Sequence, residues 1–311
     1  MSFPYRHLFE VKKPETILSH IAHESDPTNQ RLLQEVRTKR IFPDQLISLY
    51  SIYQEGAYLA DLFTEEARVR TKVWDGKKRQ YHSSPYEYWE KHQAQLKGQS
   101  LEQQRDSIYL NSQEATQFNI FAATRIYNLV AKLLKREITI FDPFAGWGDR
   151  ALAALAAQQV KSYTGVDCNP LLVPGYAKLQ TLNREKLTFL QASIEEIKLD
   201  QQFDLIFTSP PFYNFEEYET ISGKQSTSLY PQYKDWLVFF RKLLTQCKSF
   251  LKKDGFLMFH IGDTSAAPTL CQDLQRVFRE ESWKFVQRID LITKTAKGQL
   301  KRPVPIWVYK I

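Results

Sequence analysis

The sequence contains few of the residues that mark several common classes of protein. Its three cysteines, Cys168, Cys247 and Cys271, have no paired spacing and no nearby histidine, which predicts reduced thiols rather than disulfides or a zinc site. Its 11 glycines include no G-x-G-x-x-G sequence, so a phosphate-binding glycine loop is not expected. No apolar run reaches the ~18 residues of a membrane span, and the first residues, MSFPYRHLFEVKKPE, lack the apolar stretch of a signal peptide. These absences predict an intracellular, cytoplasmic protein that needs no metal and contacts no membrane.

The composition is that of a globular chain with a basic excess. The formal net charge is +7, and 43% of the residues are hydrophobic, enough to bury a substantial core. The excess of Lys and Arg lies almost entirely in residues 111–311. A positive field suits a polyanionic partner, although many basic proteins bind no nucleic acid.

The chain divides into two regions of different pattern near residue 110. Residues 1–110 are predicted to be mainly helical and are a candidate region for substrate recognition. A partly buried helix is expected over 46–62, where apolar residues recur at three and four positions. Ser84 followed by Pro85 indicates the start of a second helix, and Gly98 to Ser100 indicates a break after it.

Residues 111–311 alternate between predicted strands and helices, which favours an α/β fold with a doubly wound parallel sheet. A helix over 118–134 precedes the first strand. The last two strands have no helix between them and should form an antiparallel hairpin at the edge of the sheet. The predicted strands are 138–141, 162–166, 187–190, 205–208, 256–261, 285–292 and 306–309.

A candidate ligand loop, Asp142-Pro143-Phe144-Ala145-Gly146-Trp147-Gly148, follows the first strand. Gly146 and Gly148 permit a tight turn and close approach of the backbone to a ligand. The carboxyl ends of parallel strands are where such sheets bind ligands. Asp142 opens the loop and suits a ligand that carries an ammonium and a sulfonium.

Two further polar positions follow the next strands. Asp167 ends the second strand, 21 residues after Gly146, where a carboxylate can accept hydrogen bonds from both hydroxyls of a ribose. Asp167 could instead cap the turn before Asn169. Gln191-Ala192 follows the third strand and could contact an adenine, or Gln191 could be a solvated loop residue.

The most informative segment is Ser209-Pro210-Pro211-Phe212, which directly follows the predicted apolar strand 205–208. Two prolines hold the chain extended and remove two N–H donors. The Ser209 hydroxyl and the Pro210 carbonyl are then acceptors beside an aromatic face. An exocyclic amino group needs two acceptors to orient its lone pair and a ring on which its base can stack. A proline-stiffened turn is the alternative interpretation.

These motifs resemble the amino-methyltransferase family that includes DNA N4-cytosine and N6-adenine methyltransferases. That family has a D-x-F-x-G-x-G cofactor loop and a later (Ser/Asn/Asp)-Pro-Pro-(Tyr/Phe) motif, matched here within residues 111–311. The resemblance implies S-adenosyl-L-methionine as cofactor and a Rossmann-like class I methyltransferase sheet with an antiparallel edge hairpin. Serine at the head of the second motif is commoner in the N4-cytosine enzymes. The implied catalytic residues are Ser209, Pro210, Pro211 and Phe212, and the implied cofactor-binding residues are Phe118, Asp142, Pro143, Phe144, Ala145, Gly146, Gly148, Asp167, Cys168, Gln191 and Ala192.

Candidate substrate contacts lie in two later segments and one early one. The polar, aromatic segment 213–233 could gate the pocket or form a mobile surface loop. The basic residues of the final hairpin connection could grip a phosphate backbone, as could the run 68–79 with its central Trp74; each could also be a solvated surface. The predicted substrate-binding residues are Tyr213, Gln225, Lys294, Lys297, Lys301 and Arg302.

Three hypotheses follow from these features. The first is methylation of a nucleobase amino group, with DNA favoured over RNA. No separate DNA-reading domain is visible, so either the N-terminal region or a partner subunit recognises the target, or sequence specificity is low. The second is methylation of RNA or of a protein glutamine. The third is a catalytically dead, nucleic-acid-binding subunit that has kept the fold.

Overall fold

A computed structural model describes residues 2–9, 13–25, 45–49, 56, 58–218, 225–294 and 304–311. The helices are α1 (Pro14–Glu24), α2 (Asp61–Arg70), α3 (Pro85–Leu96), α4 (Leu101–Asn111), α5 (Ile120–Leu134), α6 (Asp149–Ala156), α7 (Val173–Leu182), α8 (Ser226–Leu229), α9 (Tyr233–Phe250) and α10 (Leu270–Glu280). The strands are β1 (Gln45–Leu49), β2 (Lys72–Asp75), β3 (Gln80–Tyr81), β4 (Ile138–Asp142), β5 (Val160–Asp167), β6 (Leu187–Gln191), β7 (Phe203–Thr208), β8 (Glu216–Glu217), β9 (Leu251–His260), β10 (Lys284–Lys294) and β11 (Val304–Lys310).

The main sheet has eight strands in the order β1-β10-β11-β9-β7-β4-β5-β6. Strand β11 runs antiparallel to both of its neighbours, β9 and β10, while β4, β5, β6, β7 and β9 pair in parallel. Two large hydrophobic clusters cover its faces. One includes residues of α5, α6 and α7, and the other includes residues of α9 and α10. This confirms the predicted Rossmann-like class I methyltransferase sheet, since helices cover both faces of a mostly parallel sheet.

Local signals placed several helix ends correctly. The Ser84 hydroxyl caps α3 by accepting from the Glu87 N–H, and Pro85 occupies the first helical position. Ser100 and Gln103 form a reciprocal capping box at the start of α4. Helix α3 therefore begins where its sequence predicts, and α4 begins directly after the predicted break at residues 98–100.

Two sequence predictions about the fold are wrong. Residues 45–49, predicted as part of a helix over 46–62, form strand β1, which pairs in parallel with β10. The β10–β11 hairpin consequently does not end the sheet, because β1 lies outside it. Pairing between residues so far apart in the chain overrides local periodicity, which reports only on neighbours.

The N-terminal region also contributes a small sheet that the sequence did not predict. Strands β2 and β3 form an antiparallel hairpin, and β2 pairs with β8, which follows the Ser-Pro-Pro-Phe segment. Ile17, Ile21 and Val73 belong to the same hydrophobic cluster as α5 and α6. In the part of the chain that the structure describes, none of the helices combines the length and apolar character needed to cross a bilayer. The division into regions 1–110 and 111–311 stays a prediction.

Candidate active site

A cavity of about 510 Å³ lies at the carboxyl ends of the central parallel strands. The glycine loop after β4, the turn after β5 and the Ser-Pro-Pro-Phe segment after β7 all line it. Parallel strands place their carboxyl ends on one edge of the sheet, so segments far apart in sequence meet there. Predicted site residues among its lining are Phe118, Pro143, Phe144, Gly146, Asp167, Cys168, Ala192, Ser209, Pro210, Pro211, Phe212 and Gln225.

The glycine loop depends on two left-handed residues. Gly146 has φ 56° and Gly148 has φ 89°, conformations that residues with a Cβ adopt rarely. The Gly146 N–H donates to the Asp167 carboxylate over 2.9 Å, which fixes the loop to the end of β5. Gly148 immediately precedes α6, and its φ turns the chain into that helix. The loop is therefore pre-shaped at the cavity wall.

Asp167 stands where the sequence predicts a ribose contact. One carboxylate oxygen accepts from Gly146, and the other accepts from the Asn169 N–H over 3.0 Å. Each oxygen keeps a further lone pair that can accept a hydroxyl. Burial raises the pKa of Asp167 from 3.8 to about 6, and the two backbone donors oppose that rise.

Asp142 does not line the cavity, contrary to the prediction that it faces the ligand. It is fully buried, and its oxygens accept from Arg150 Nε over 2.7 Å, from the Tyr163 hydroxyl over 2.6 Å and from the Thr208 hydroxyl over 2.7 Å. Arg150, one position into α6, neutralises the carboxylate. Asp142 therefore ties β4 to β5, β7 and α6, and has no capacity left for a ligand.

Ala145, Gly148 and Gln191 are also absent from the cavity lining among the described residues. Ala145 is buried, and Gly148 packs against Leu179 of α7. A Cβ on Gly148 would stand 2.6 Å from a Leu179 methyl group. Gln191 is exposed, while the adjacent Ala192 lines the cavity and donates its N–H to the Asp167 carbonyl. Strand β6 therefore ends beside the cavity as predicted, but the side chain of Gln191 is exposed to solvent.

Asp149 is the acidic residue of the glycine loop that lines the cavity, and the sequence interpretation missed it. It is 3% exposed, and its Oδ1 has no hydrogen-bond partner among the described residues. Burial raises its pKa from 3.8 to about 7, against the opposing effect of Arg150. The Phe118 backbone N–H bonds to the same carboxyl group. Its signal was simple: it is the acid directly after the second glycine of the loop.

Ser209 lies on the cavity wall beside the end of β9. Its hydroxyl donates to the His260 carbonyl over 3.0 Å and lies 3.2 Å from His260 Nδ1. Because the Ser209 hydroxyl donates its hydrogen bond to this carbonyl, its oxygen keeps lone pairs that can accept from an incoming N–H. Pro210, Pro211 and Phe212 continue along the same wall.

His260 completes this wall and was also missed. Burial lowers its pKa from 6.5 to about 3, with a further lowering by Arg150, so the imidazole is neutral. Its Nε2 has no partner in the described chain. Phe118 meets the imidazole edge-to-face, with ring centroids 4.9 Å apart, and the Phe212 ring lies 6.0 Å away. A polar residue that ends an apolar strand was the available sequence signal.

The other predicted substrate contacts have mixed positions. Gln225 is buried on the cavity wall, and its Oε1 accepts from the Tyr218 N–H over 2.8 Å. Tyr213 does not line the cavity; its backbone has φ 55°, and its hydroxyl donates to the Pro231 carbonyl. Lys294 lies in β10 with its side chain outside the description, and Lys297, Lys301 and Arg302 lie outside the described residues.

The cavity lining is rich in acidic residues and poor in basic ones. Its acidic lining residues are Asp149, Asp167, Glu195, Glu216 and Asp263. Arg150 is the one Lys or Arg side chain in the described lining, and Asp142 already neutralises it. Burial also raises the pKa of Glu216, whose carboxylate accepts from the Tyr218 hydroxyl. Such a lining attracts a cationic ligand and repels phosphates.

Comparison with known proteins gives a family match for the second half of the main sheet. Residues 203–304, from β7 to the start of β11, match the model of a family described as DNA methylase. This match confirms the predicted resemblance to the DNA amino-methyltransferases and, at the level of the family, the predicted cofactor S-adenosylmethionine. The matched segment includes Ser209 to Phe212 but not the glycine loop.

One curated relative is described as a glutamine methyltransferase. The chain is 25% identical over 162 residues to a release factor glutamine methyltransferase from Fusobacterium nucleatum subsp. nucleatum. The alignment covers 49% of this chain and 44% of that protein, so the chain spans less than half the length of the relative it matches.

Solved structures that are similar to the chain include several methyltransferases. One is an S-adenosylmethionine-dependent methyltransferase from Clostridium acetobutylicum, 11% identical, covering 61% of this chain and 91% of that one, with a TM-score of 0.43. Another is the 1,6-didemethyltoxoflavin-N1-methyltransferase from Burkholderia thailandensis, 18% identical, covering 61% and 78%, with a TM-score of 0.41. The strand order of the chain itself, rather than these distant likenesses, establishes the fold.

Proposed function

We propose that the chain is an S-adenosylmethionine-dependent methyltransferase that modifies an exocyclic amino group of a nucleobase, with DNA cytosine N4 or adenine N6 as the preferred targets. One observation carries the proposal: Ser209 and Phe212 share a single cavity with the glycine loop and Asp167. The match of residues 203–304 to the DNA methylase family supports the same conclusion.

The cavity fits this cofactor by its chemistry. S-adenosylmethionine carries a sulfonium and an α-ammonium. The described lining offers five acidic side chains and a single Lys or Arg side chain, Arg150, which Asp142 already neutralises. Asp149 Oδ1, buried and without a partner, is suited to the ammonium. Asp167 would accept the ribose hydroxyls, and the segment around Phe118 would cover the methionine part. A nucleotide cofactor fits poorly, because its phosphates would meet the same carboxylates.

The chain's own residues hold and orient the amine. Ser209 Oγ and the Pro210 carbonyl would accept its two hydrogens, which directs its lone pair outward. Phe212 would stack on the base. When bound, S-adenosylmethionine supplies a sulfonium methyl group, whose carbon bonds to the amine nitrogen as the carbon–sulfur bond breaks. The nitrogen then loses a proton to water, so no strong general base is needed.

Incubation with methyl-labelled S-adenosylmethionine and separate pools of duplex DNA, single-stranded DNA, RNA and protein tests the proposal. After digestion, mass spectrometry of the nucleosides should show N4-methylcytosine or N6-methyladenine. The Ser209→Ala variant should lose about 5–150-fold in turnover, the equivalent of one hydrogen bond of about 1–3 kcal/mol. The Phe212→Ala variant should lose a similar factor through stacking.

The matched controls are Ser107→Ala and Phe285→Ala. Ser107 lies in α4, and Phe285 is 56% exposed on β10. Both controls should keep wild-type turnover, and all four variants should bind the cofactor within about threefold of wild type by calorimetry. Unchanged turnover in both site variants would overturn the assignment of the site.

A protein glutamine is the second candidate target, favoured by the relative from Fusobacterium nucleatum. A glutamine side-chain amide also presents an NH2 that two acceptors can hold. Label in the protein pool with none in the nucleic acid pools would select this candidate.

A further inference from the structure

The β2–β3 hairpin is built rigidly around Asp75. Its turn runs from Gly76 to Arg79. One Asp75 carboxylate oxygen accepts from the backbone N–H groups of Lys77 and Lys78, over 2.9 and 3.2 Å, and its carbonyl accepts from Arg79. These backbone bonds fix the turn while its three basic side chains extend into solvent.

The hairpin is attached directly to the segment that follows the catalytic motif. Val73 stands opposite Glu216 in an antiparallel pair, and the Trp74 N–H donates to the Phe215 carbonyl over 2.9 Å. The Tyr81 hydroxyl donates to the Asn214 side-chain oxygen over 2.5 Å. An N-terminal element therefore has a fixed position relative to Phe212.

The turn of the hairpin lies at the rim of the cavity. A Cβ added to Gly76 would stand 2.1 Å from the Ser265 hydroxyl oxygen. Ser265 itself lines the cavity. Glycine at position 76 thus lets the turn approach this wall closely, and the three basic residues that follow it stand beside the mouth.

The basic run 68–79 divides into two parts with different roles. Arg68 is buried against Asp61 and Glu114, and Lys72 pairs with Glu87 over 3.7 Å. In contrast, Lys77, Lys78 and Arg79 are all exposed, and none has a side-chain ion pair with a described residue. Asp75 is the acidic residue of the turn, and His82 Nε2 lies 3.4 Å from it. The turn therefore keeps a net positive charge.

The acidic cavity and its basic rim together select one kind of substrate, on the basis of the proposed function. We propose that Lys77, Lys78 and Arg79 bind the phosphate backbone of a nucleic acid strand whose target base enters the cavity. The carboxylates inside repel phosphates, so the backbone must stay at the mouth, where the turn supplies the cations. Because contacts to phosphate carry no sequence information, this surface positions the strand and does not read it.

The test is the triple variant Lys77→Glu, Lys78→Glu, Arg79→Glu, measured by fluorescence anisotropy with labelled single-stranded DNA, single-stranded RNA and duplex DNA across a salt series. Loss of three phosphate contacts should reduce the slope of log affinity against log salt by about 2 on a single strand. The KM for methylation of the same strand should rise at least about tenfold at low salt, with kcat unchanged. The three arms show which nucleic acid is preferred.

The matched control is Lys132→Glu, Lys161→Glu, Lys253→Glu, the same change of net charge. These lysines are exposed at the opposite edge of the sheet, where α5 ends and where β5 and β9 begin. The control should keep the wild-type salt slope. An equal effect of both triple variants would overturn the proposal, because it would report net charge alone. A wild-type slope in the turn variant would also overturn it.

The two levels of the proposal fail differently. If the wild-type chain neither binds nor methylates nucleic acid, the proposed function fails and the phosphate surface with it. If the wild-type chain methylates nucleic acid and the turn variant has unchanged KM and salt slope, only the phosphate surface fails.

Discussion

Asp142 and Asp149 stand at the two ends of one loop, yet their carboxylates have opposite surroundings. Asp142 is bonded by Arg150, Tyr163 and Thr208 and is closed off from the cavity. Asp149 keeps one oxygen without a partner. A buried carboxylate in that state is costly unless it is protonated or a cation reaches it. We therefore propose Asp149 as the acid that this loop offers to a ligand.

We predict that Asp149→Asn weakens S-adenosylmethionine binding by about 10–150-fold, the equivalent of a charge-assisted hydrogen bond of about 1.5–3 kcal/mol. Affinity in the wild type should also depend on pH. The pKa of Asp149 without ligand is raised to about 7, and an ammonium binds the ionised form. Binding must then release a proton below pH 7, so affinity should fall about tenfold as pH drops from 7.5 to 6.

Calorimetry in buffers of different ionisation enthalpy measures both the affinity and the released proton. Asp106→Asn, at an exposed position of α4, is the control and should behave as wild type. In Asp149→Asn the fall in affinity above pH 6 should disappear. The fall in affinity that remains at lower pH should reflect the protonation of Asp167. Wild-type affinity and pH dependence in Asp149→Asn would contradict the assignment.

At the scale of elements, the hairpin β2–β3 holds the residues that follow the Ser-Pro-Pro-Phe segment. In the described residues 213–218, the regular structure consists of β8, a strand of two residues. This segment is held by pairing with β2 and by the hydrogen bond from Tyr81 to Asn214. A long segment gains a single conformation here from an element more than a hundred residues earlier in the chain.

We predict that Tyr81→Phe lowers kcat by about 3–10-fold without changing the affinity for the cofactor, since the loss of one hydrogen bond costs about 1 kcal/mol and loosens Asn214. Steady-state kinetics with parallel calorimetry would measure this. The control is Tyr86→Phe, which removes a hydroxyl from the neighbouring helix α3. The Tyr86 ring packs under Arg70, and this variant should have an unchanged kcat. Equal kcat in the two variants would show that the hairpin does not position the segment.

The elements that the sequence predicted correctly are those whose signals are local. Ser84-Pro85 begins its helix as expected, because capping involves residues three positions apart. The break at residues 98–100 also holds, although the helix that Ser100 caps was not predicted. The strands of the main sheet within residues 138–310 were also found, to within about five residues at each end, but the two-residue strand β8 was not. Strand β1 and the hairpin β2–β3 were not, because each depends on a partner strand distant in sequence.

At the scale of the whole molecule, a buried ionic cluster joins the N-terminal region to the wall of the cavity. Arg68 is 1% exposed and bonds to Asp61 over 2.7 Å and to Glu114 over 2.5 Å. Gln117, which lines the cavity, donates to the same Asp61 over 2.8 Å. The Thr64 hydroxyl donates to the Trp147 carbonyl of the glycine loop over 2.7 Å.

We predict that Arg68→Met destabilises the chain by about 3–5 kcal/mol, because it removes the buried cation that Asp61 and Glu114 share and leaves Asp61 only the partly exposed Arg6. Since residues of both regions share one hydrophobic core, unfolding should remain a single transition. Denaturant titration followed by circular dichroism and by tryptophan fluorescence would measure both. The control Arg276→Met removes an exposed pair with Asp273 and should cost under about 1 kcal/mol. Separate transitions for the two probes would contradict the shared core.

The sequence by itself determined the chemistry and its order along the chain: a glycine turn, an acid after the second strand, and a serine with two prolines and a phenylalanine after the fourth. Proline and glycine restrict or release the backbone locally, so their consequences could be predicted without a fold. Only the tertiary structure decided which acid faces the ligand, that His260 stands beside Ser209, and that the turn at residues 77–79 lies at the cavity mouth. Those outcomes depend on burial and on pairing between distant segments, and neither is a property of neighbouring residues.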